Sequence, residues 1–279
     1  MRKEILIGAL LTACFIMPGL VMADETPLKN APDGRPLALT FADEFHDFRP
    51  LGDPHGVWRT TFGNGHSRAE DRTLPDNGEQ ELYVDRDFWK GGEGPIPFRV
   101  HDGYLDIIAN PAPPQLIPQL RGHRYTSGLI TSQPSFSQLY GYFEMRAKLP
   151  DGKGMWPAFW LLPADETWPP EIDVLEAVSD PTHIYMSTHS ARQPTVGVEA
   201  HVTPDAFHTY AVAWDASQII FYIDGKQIGA QKTPADFHKP MYVLANLAIG
   251  GNWPGNPDAS THFPAILTID YIRAYRFGP

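Results

Sequence analysis

Three carboxylates stand within six residues of one apolar segment, PPEIDVLEAV, which spans residues 169–178. They are Glu171, Asp173 and Glu176, and nearly every residue around them is apolar. Packing does not explain the group, because an unpaired buried carboxylate is strongly disfavoured. An exposed edge strand or pairing with arginine would explain it, yet no lysine or arginine lies between Ala164 and Arg192. The group therefore favours a chemical role over a structural one.

The chemistry that such a group can perform is cleavage of a glycosidic bond. One carboxyl group protonates the leaving oxygen, and another attacks the anomeric carbon or activates a water that does. Trp156, Phe159 and Trp160 stand just upstream in GMWPAFWLLP, and tryptophan rings stack on sugar faces. A carboxyl separation of about 5–5.5 Å would give retention of configuration and about 6.5–9.5 Å inversion. The spacing in sequence leaves both outcomes open.

The position of the third acid raises a geometric question. In a regular strand, residues two apart share a face, so Glu171 and Asp173 point together while Glu176 points away. An extra residue at Val174 or Leu175, forming a β-bulge, would reset the alternation and return Glu176 to the same face. Bulges are common beside active sites. We therefore predict a bulge with a local kink at this pair.

The elements that must position these acids are strands. YGYFEMRAKLP alternates polar and apolar residues with period two, and no segment of twelve or more residues has helical periodicity. The region from Gly52 to Glu81 is predicted to form long loops, and Asp102-Gly103 to turn a hairpin. Many short strands at such spacing predict an all-β sandwich or jelly roll. The other strand candidates are LALTFADEF, FRVHDGYLDIIANP, TSGLITSQ, MWPAFWLLP, EIDVLEAV, IYMSTHS, HTYAVAWD, QIIFYIDGKQIG, PMYVLANLAIGG and AILTIDYIRAYRF.

The chain begins with a predicted leader. Basic residues at positions 2 and 3 precede an apolar stretch, and Val21-Met22-Ala23 is typical of a cleavage site. We therefore predict a signal peptide over residues 1–23, an N-terminal extension over 24–36 and one catalytic domain over 37–279, secreted or periplasmic. LTAC, ending at Cys14, is similar to a lipoprotein cleavage box. Since FIMPGLVM follows where a polar tether is usual, lipid anchoring is a minor alternative.

Composition limits the partners. Cys14 is the only cysteine in 279 residues, so the processed chain would have no disulfide, thiolate metal site or cysteine nucleophile. Loss of the leader would change the formal net charge from −11 to −12. An acidic chain without a basic cluster is a poor candidate for binding nucleic acid or an anionic membrane. We expect a polysaccharide partner, no nucleic acid, no membrane and a monomer.

The chain resembles glycoside hydrolase family 16. The family signature is Glu-x-Asp-x-Glu or, in a bulged branch, Glu-x-Asp-x-x-Glu, and residues 171–176 match the second form. FADEF, NGEQELYVD, YTSGLITS, YGYFEMRAKLPDGKGMWPAFWLLP, ANLAIGGNWPG and IDYIRAYR are similar to family blocks in family order, so the resemblance covers nearly the whole processed chain. It implies a β-jelly-roll, concanavalin-like sandwich of two antiparallel sheets, with a substrate cleft on the concave face.

The resemblance also implies catalytic roles. It makes Glu171 the nucleophile and Glu176 the general acid/base of a retaining double displacement, with Asp173 hydrogen-bonded to Glu171. Burial and neighbouring negative charges would raise the pKa of Glu176, as a general acid requires. No cofactor is expected for catalysis.

Other positions match substrate-binding positions of the family. Trp156 and Trp160 would line the sugar site beside the cleaved bond or pack in the core. His189 would face the acids from the next strand or be a satisfied strand residue. The residues of NGEQELYVD would contact sugars on the non-reducing side or anchor a loop, and those of ANLAIGGNWPG lie in a glycine-rich edge that a ligand can approach closely. The full expected set is Asn77, Glu79, Tyr83, Trp156, Trp160, His189, Asn246 and Trp253.

Many members of the family hold a structural calcium ion away from the cleft. The matching positions are the carbonyl groups of Glu44 and Gly103 and the carboxylate of Asp270. Calcium favours oxygen ligands of both kinds. The alternative for Asp270 is a surface acid without a metal.

The substrate is less well determined by the sequence. Sulfated glycans would favour a basic cleft, which an acidic chain does not suggest. We predict an endo-β-glucanase acting on β-1,3-1,4- or β-1,3-glucan. The alternatives are a depolymerase of a succinoglycan-like bacterial exopolysaccharide and, from another class, a non-catalytic glucan-binding protein of the same fold. Retention of both glutamates argues against the last.

Overall fold

The computed structural model describes residues 26–63, 69–89, 93–133 and 135–279. The predicted leader over residues 1–23, with Cys14, lies outside these residues. The described residues form strands and short 3-10 helices, and none of their helices is long and apolar enough to cross a membrane. The 3-10 helices span Ala69–Arg72, Pro75–Asn77, Pro114–Leu116 and Ala235–Phe237. The strands are β1 (Leu37–Asp43), β2 (Glu81–Tyr83), β3 (Phe98–His101), β4 (Tyr104–Pro111), β5 (Tyr125–Ser127), β6 (Leu129–Thr131), β7 (Gly141–Lys148), β8 (Met155–Pro163), β9 (Glu171–Ala177), β10 (His183–His189), β11 (Val196–His201), β12 (His208–Trp214), β13 (Gln218–Ile223), β14 (Lys226–Lys232), β15 (Met241–Ile249) and β16 (Ala265–Phe277).

The strands form two sheets. A ten-stranded sheet has the order β14-β13-β12-β7-β16-β4-β5-β2, with β1 also pairing with β16 and β3 with β4. A six-stranded sheet has the order β11-β10-β9-β8-β15-β6. All strand pairings among the described residues are antiparallel except the short pair β2–β5, which is parallel. The predicted jelly-roll sandwich is confirmed, and β9 is a central strand of its sheet.

The main core lies between the two sheets and follows from strand alternation. On β7, Phe143, Met145 and Ala147 belong to this core, while Tyr142 belongs to a separate cluster on the outer face of the ten-stranded sheet. The N-terminal extension covers part of that outer face, where Ala31 is buried. Removing apolar surface from water stabilises a fold by about 25 cal/mol per Å². The core between the two sheets is therefore the main stabilising element.

The local predictions from sequence can be compared with these elements. The hairpin at Asp102-Gly103 joins β3 to β4, and both turn residues have positive φ, at 50° and 80°. The described part of the region from Gly52 to Glu81 consists of loops and two 3-10 helices, as predicted. Strand β11 was not predicted. Its alternating residues Val198 and Ala200 pack against the main core, but all of its side chains stay at least partly exposed.

Candidate active site

A cleft of about 950 Å³ lies on the outer face of the six-stranded sheet. Strands β8, β9, β10, β11 and β15 contribute to its lining, together with the loops that precede β2 and β9 and the loop after β15. Glu171, Asp173 and Glu176 all line this cleft. The apolar residues between them point into the main core instead. The structure therefore brings the three predicted acids together on one surface.

A β-bulge produces this arrangement. Against β8, Phe159 pairs with Leu175 and Trp160 pairs with Asp173, so Val174 has no partner of its own. The register shifts at the same place against β10. Val174 and Leu175 are both fully buried in the main core. The predicted bulge is confirmed, and it absorbs the extra residue that would otherwise turn the third acid away from the cleft.

Each glutamate accepts a hydrogen bond from an indole N–H. Trp168 Nε1 donates to Glu171 Oε2 at 2.5 Å, and Trp156 Nε1 donates to Glu176 Oε1 at 2.9 Å. Hydrogen bonds to a carboxylate favour its ionised form and hold its oxygens in place. The two tryptophans reach the acids from different elements, since Trp168 precedes β9 and Trp156 lies on β8.

Asp173 lies between the glutamates and is the most buried of the three acids, with 3% of its surface exposed. Ser187 Oγ donates to Asp173 Oδ2 at 2.6 Å, and His189 Nε2 is 3.1 Å from the same oxygen. His189 Nδ1 in turn is 3.1 Å from the hydroxyl of Thr195. Carboxylate oxygens of Asp173 and Glu171 lie within 4.8 Å of each other. At this distance the negative charge of Asp173 raises the pKa of Glu171.

The pKa values of the site follow from burial and mutual repulsion. Burial raises the pKa of Glu171 well above 4.5, and the negative charges of Asp173 and Glu176 add to the effect, while the Trp168 N–H opposes it. Burial and Asp173 likewise raise the pKa of Glu176, opposed by the Trp156 N–H. The hydrogen bond to Asp173 raises the pKa of His189 above 6.5. The site is therefore built to keep protons at a pH where free glutamates have lost theirs.

Aromatic side chains form the wall beside Glu176. The ring of Trp156 meets the ring of Trp253 edge-on, with centroids 5.6 Å apart, and Tyr185 meets Trp253 at 4.9 Å. Trp253 is 46% exposed. A large ring with an open face beside a cleft can stack on a sugar ring. The placement of Trp156 and Trp253 thus agrees with their predicted role in substrate binding.

A buried relay supports the adjoining part of the cleft. Trp160 Nε1 donates to Asn246 Oδ1 at 2.8 Å, and Asn246 Nδ2 donates to the hydroxyl oxygen of Tyr83 at 2.9 Å. Trp160 and Asn246 line the cleft, although both are largely buried. Tyr83 is fully buried and does not line it. The expectation that Tyr83 contacts a sugar is therefore wrong, because its hydroxyl group lies beneath Asn246 and orients that side chain.

Two more acids stand at the end of this relay. Asn77 Nδ2 donates to Glu79 Oε1 at 3.1 Å, and both residues line the cleft. Glu81 lies beside Glu79, is completely buried and accepts the backbone N–H of Ile249 at 2.6 Å. Burial, reinforced by the charge of Glu79, raises the pKa of Glu81 well above 4.5. The raised pKa favours the protonated form of Glu81.

Metal binding can be considered at two places. Among the described residues, Glu171, Asp173 and His189 have ligand atoms within 4.8 Å of one another. Their hydrogen bonds to one another and to Trp168 account for this proximity without an ion. Hence we assign the group to proton chemistry.

The predicted calcium ligands belong to the ten-stranded sheet, remote from the cleft. Asp270 is the unpaired residue at a register shift between β16 and β7, and β1 and β4 lie on the other edge of β16. Oxygen donors at this place suit calcium. The carboxylate of Asp270, however, is paired with Arg146, and Glu44 holds Arg273 through two hydrogen bonds. An ion bound by Asp270, Gly103 and Glu44 would have to replace Arg146, so calcium at this site stays a proposal.

Several residues of the site were not predicted from the sequence. Trp168 stands three residues before Glu171, and this proximity was the available signal. Ser187 lies two residues before His189 on β10, so strand alternation would have placed both on one face. The same alternation applies to Tyr185 on β10. The remaining unpredicted residues come from other parts of the chain and include Phe62, Gln133, Glu166, Thr195 and Tyr242.

Comparison with known proteins places the chain among carbohydrate-cleaving enzymes. The model of the Glycosyl hydrolases family 16 matches residues 107–273, which include all three acids. The endo-1,3-1,4-beta-glycanase ExsH of Rhizobium meliloti is 41% identical over 244 residues, covering 86% of this chain and 52% of that protein. The chain thus spans about half the length of this relative.

Two further proteins are similar over most of their length. A beta-glucanase of Rhodothermus marinus is 30% identical over 308 residues, which cover 99% of this chain and 95% of that protein. The X-ray structure of an endo-beta-1,3-glucanase from Pyrococcus furiosus superposes with a TM-score of 0.74 at 28% identity, covering 91% of this chain and 99% of that one. These similarities extend well beyond the strand that carries the acids.

Proposed function

The chain belongs to glycosyl hydrolase family 16, and on that premise we propose that it is a retaining endo-β-glucanase hydrolysing β-1,3-1,4- or β-1,3-glucan. The observation that carries the proposal is the placement of Glu171, Asp173 and Glu176 on one face of β9, within a cleft that has tryptophan walls. The names of the relatives, which are β-glucanases and an endo-1,3-1,4-beta-glycanase, support the substrate class.

In the first step of the proposed reaction, an oxygen of ionised Glu171 attacks the anomeric carbon. The bond from that carbon to the leaving oxygen breaks, and the leaving oxygen takes the electron pair together with the proton of Glu176. The raised pKa of Glu176 suits this donation. Asp173, fixed by Ser187 and His189, holds a hydrogen bond to Glu171 while the charge of Glu171 changes.

In the second step, water attacks the covalent glycosyl-enzyme. Glu176, now ionised, takes a proton from the water as the new C–O bond forms, and the bond to Glu171 breaks with the electron pair returning to the carboxylate. Two inversions give net retention. The site is thereby restored with Glu171 ionised and Glu176 protonated.

The charge of the cleft supports an uncharged backbone as substrate. The described lining residues include Asp76, Glu79, Glu166 and Glu199 besides the three catalytic acids, and no lysine or arginine. Sugar hydroxyl groups can be bound by such side chains and by the indole rings, whereas sulfate or carboxylate substituents would meet like charge.

The test is product analysis with the processed protein on barley β-glucan, lichenan, laminarin, agarose and succinoglycan. Glu171→Gln and Glu176→Gln serve as near-isosteric variants that keep the volume of each side chain. We expect short oligosaccharides from the first three polymers and at least a thousandfold loss of rate in both variants, of the order that loss of an essential acid or nucleophile causes. Equal rates for an active wild type and Glu171→Gln would remove the catalytic role of Glu171. No product from the wild type on any of the polymers would leave glucan binding as the function.

The succinoglycan arm addresses the alternative of an exopolysaccharide depolymerase. The similarity to ExsH, named an endo-1,3-1,4-beta-glycanase, covers 86% of this chain. For this reason a bacterial exopolysaccharide is tested beside the plant and algal glucans. Preferential cleavage of succinoglycan over lichenan and laminarin would select the depolymerase. The reverse preference selects the β-glucanase.

Export belongs to the same proposal. A polymer-degrading enzyme must meet its substrate outside the cytoplasm, and residues 1–23 have the pattern of a cleaved leader. N-terminal sequencing of the protein recovered from culture should begin at Asp24. Fatty acylation at Cys14, abolished by Cys14→Ser, would support the lipoprotein alternative instead. Size-exclusion chromatography tests the expected monomer.

A further inference from the structure

Trp168 combines an exposed ring with a fixed polar edge. Its side chain is 66% exposed beside the cleft, while its Nε1 donates to Glu171 Oε2 at 2.5 Å. An exposed indole has no need of a buried partner, because water can satisfy its N–H. The contact with Glu171 therefore points to a role for the N–H in the site.

The loop that carries Trp168 is anchored by side chains from two other parts of the chain, Lys239 and Gln133. Lys239 Nζ donates to Asp165 Oδ2 at 2.8 Å and to Thr167 Oγ1 at 2.9 Å. Gln133 Nε2 donates to Glu166 Oε1 at 3.0 Å. The bond from Lys239 also lowers the pKa of Asp165 to about 2, so this anchor is charged over the working pH range. The loop thus presents the indole to Glu171 from an anchored backbone.

The surroundings of Glu171 give this bond particular weight. The titratable groups that face Glu171 are Asp173 and Glu176 on its own strand, His189 on β10, which meets it through Asp173, and Tyr242 on β15. No lysine or arginine is among the described lining residues of the cleft. Trp168 therefore supplies a direct N–H donor to ionised Glu171, where the cleft offers no lysine or arginine and His189 contacts Asp173.

We propose that Trp168 is a positioning residue for the nucleophile: its indole N–H holds Oε2 of Glu171, so that Oε1 is the oxygen that attacks the anomeric carbon. This inference rests on the proposed retaining mechanism. When the glycosyl-enzyme forms, Oε1 becomes the ester oxygen and Oε2 the carbonyl oxygen. When water cleaves that ester, negative charge returns to the carboxylate, and the N–H at Oε2 stabilises the charge as it develops.

The test uses Trp168→Phe, which keeps an aromatic ring of smaller size and removes the N–H donor. Pre-steady-state kinetics with a dinitrophenyl β-laminaribioside separate the first step, which releases the phenol, from cleavage of the glycosyl-enzyme. A hydrogen bond to a charged group contributes about 1.5–3 kcal/mol, so we expect cleavage of the glycosyl-enzyme to slow by about 10- to 100-fold, with a larger burst of phenol. The acid limb of kcat/KM should move to higher pH, because loss of the donor raises the pKa of Glu171.

Two matched variants make the outcome specific. Trp156→Phe removes the N–H that reaches Glu176. On laminarin, whose leaving oxygen needs a proton, it should move the alkaline limb of kcat/KM to higher pH more than the acid limb. Trp89→Phe removes an indole bond to the carbonyl group of Pro95, outside the cleft, and should leave both limbs unchanged. Wild-type kinetics and pH limbs in a folded, active Trp168→Phe protein would overturn the inference alone. A wild type without glucanase activity would overturn the proposed function instead.

Discussion

Asp173 and Glu176 point to the same side of strand β9, although a regular strand would place residues three apart on opposite sides. The unpaired Val174 makes this possible, since both flanking segments of β9 keep their pairing with β8. The bulge therefore aims Glu176 into the cleft while Val174 and Leu175 remain in the core.

Deletion of Val174 should keep the three acids of β9 on the face that lines the cleft. The residue has no partner on β8, so its removal joins two segments that are already in register. We expect measurable glucanase activity together with a loss of about 1.5–3 kcal/mol in the free energy of unfolding, from the missing core side chain. Deletion of Ile172 is the matched control, because it removes a paired residue and turns Glu171 away from the cleft. Activity in the Ile172 deletion and none in the Val174 deletion would contradict the role assigned to the bulge.

The pH dependence of kcat/KM should be bell-shaped, with both limbs above the ordinary glutamate value of about 4.5. On the acid side activity falls as Glu171 gains a proton, and on the alkaline side it falls as Glu176 loses one. Because the acids interact, the two limbs belong to the group as a whole. With a dinitrophenyl leaving group, which departs without a proton, the alkaline limb should disappear from the first step. A limb that persists there would assign it to another group.

His189→Gln should lower kcat by about 10- to 100-fold, the size expected for losing a hydrogen bond to a charged group. His189 supports Asp173, and its pKa is raised above 6.5 by that contact. The pair therefore stabilises the fold below pH 6.5, and this contribution is lost as the pH rises through the raised pKa. His208→Gln, which removes a 2.6 Å contact to Asp224 on the other sheet, is the control and should keep wild-type kcat. Equal loss in both variants would indicate a general effect of histidine removal.

Much of this arrangement could be predicted from the residue sequence, because its signals are local. The period-two pattern of β7 and the interrupted alternation of the acids at Glu176 on β9 each lie within one strand. The missed features depend on other parts of the chain. The loop that carries Trp168 is anchored by Lys239, which lies about 70 residues further along the chain, and β11 is short with only partly buried apolar residues.

Tyr83 shows the same limit in another way. An aromatic residue after a polar loop fits a sugar contact and a buried support equally well in sequence. The hydroxyl bond to Asn246, which is 163 residues away, decides between them. A contact at that separation leaves no local pattern to read.

Glu81→Gln should make stability less dependent on pH. The folded-state pKa of Glu81 is raised above 4.5, so the folded protein holds a proton that the unfolded chain releases above that pH. Stability is then complete below about pH 4.5 and decreases as the pH rises, by up to about 1.4 kcal/mol per pH unit. Glutamine keeps an acceptor for the Ile249 N–H and does not titrate. In thermal unfolding, the stability of the variant relative to wild type should therefore increase as the pH rises.

The control for this prediction is Glu81→Leu. It leaves the Ile249 N–H without its acceptor and should be about 1–3 kcal/mol less stable than Glu81→Gln at every pH. A Glu81→Gln variant that is equally destabilised at every pH would mean that Glu81 acts as an ionised group.

Calcium should raise the thermal stability if Asp270 can exchange Arg146 for the ion. A calcium concentration of about a hundred times the dissociation constant would raise the free energy of unfolding by about 2.7 kcal/mol. For a domain of this size, that corresponds to an increase of about 5–10 °C in Tm. The measurement compares Tm in excess calcium and in EDTA, with Asp270→Asn as the variant that should lose the difference. Identical Tm values for the wild type in both conditions would leave the pair with Arg146 as the function of Asp270.

The central claim is that Glu171 attacks and Glu176 exchanges protons within one retaining site. Azide rescue of the two alanine variants on a dinitrophenyl β-laminaribioside tests it most directly. In Glu171→Ala, azide replaces the nucleophile and attacks once, so the account predicts an α-glycosyl azide. In Glu176→Ala, azide attacks the glycosyl-enzyme after a first inversion, so it predicts a β-glycosyl azide. The same anomer from both variants, or an interchange of the two, would contradict the assigned roles.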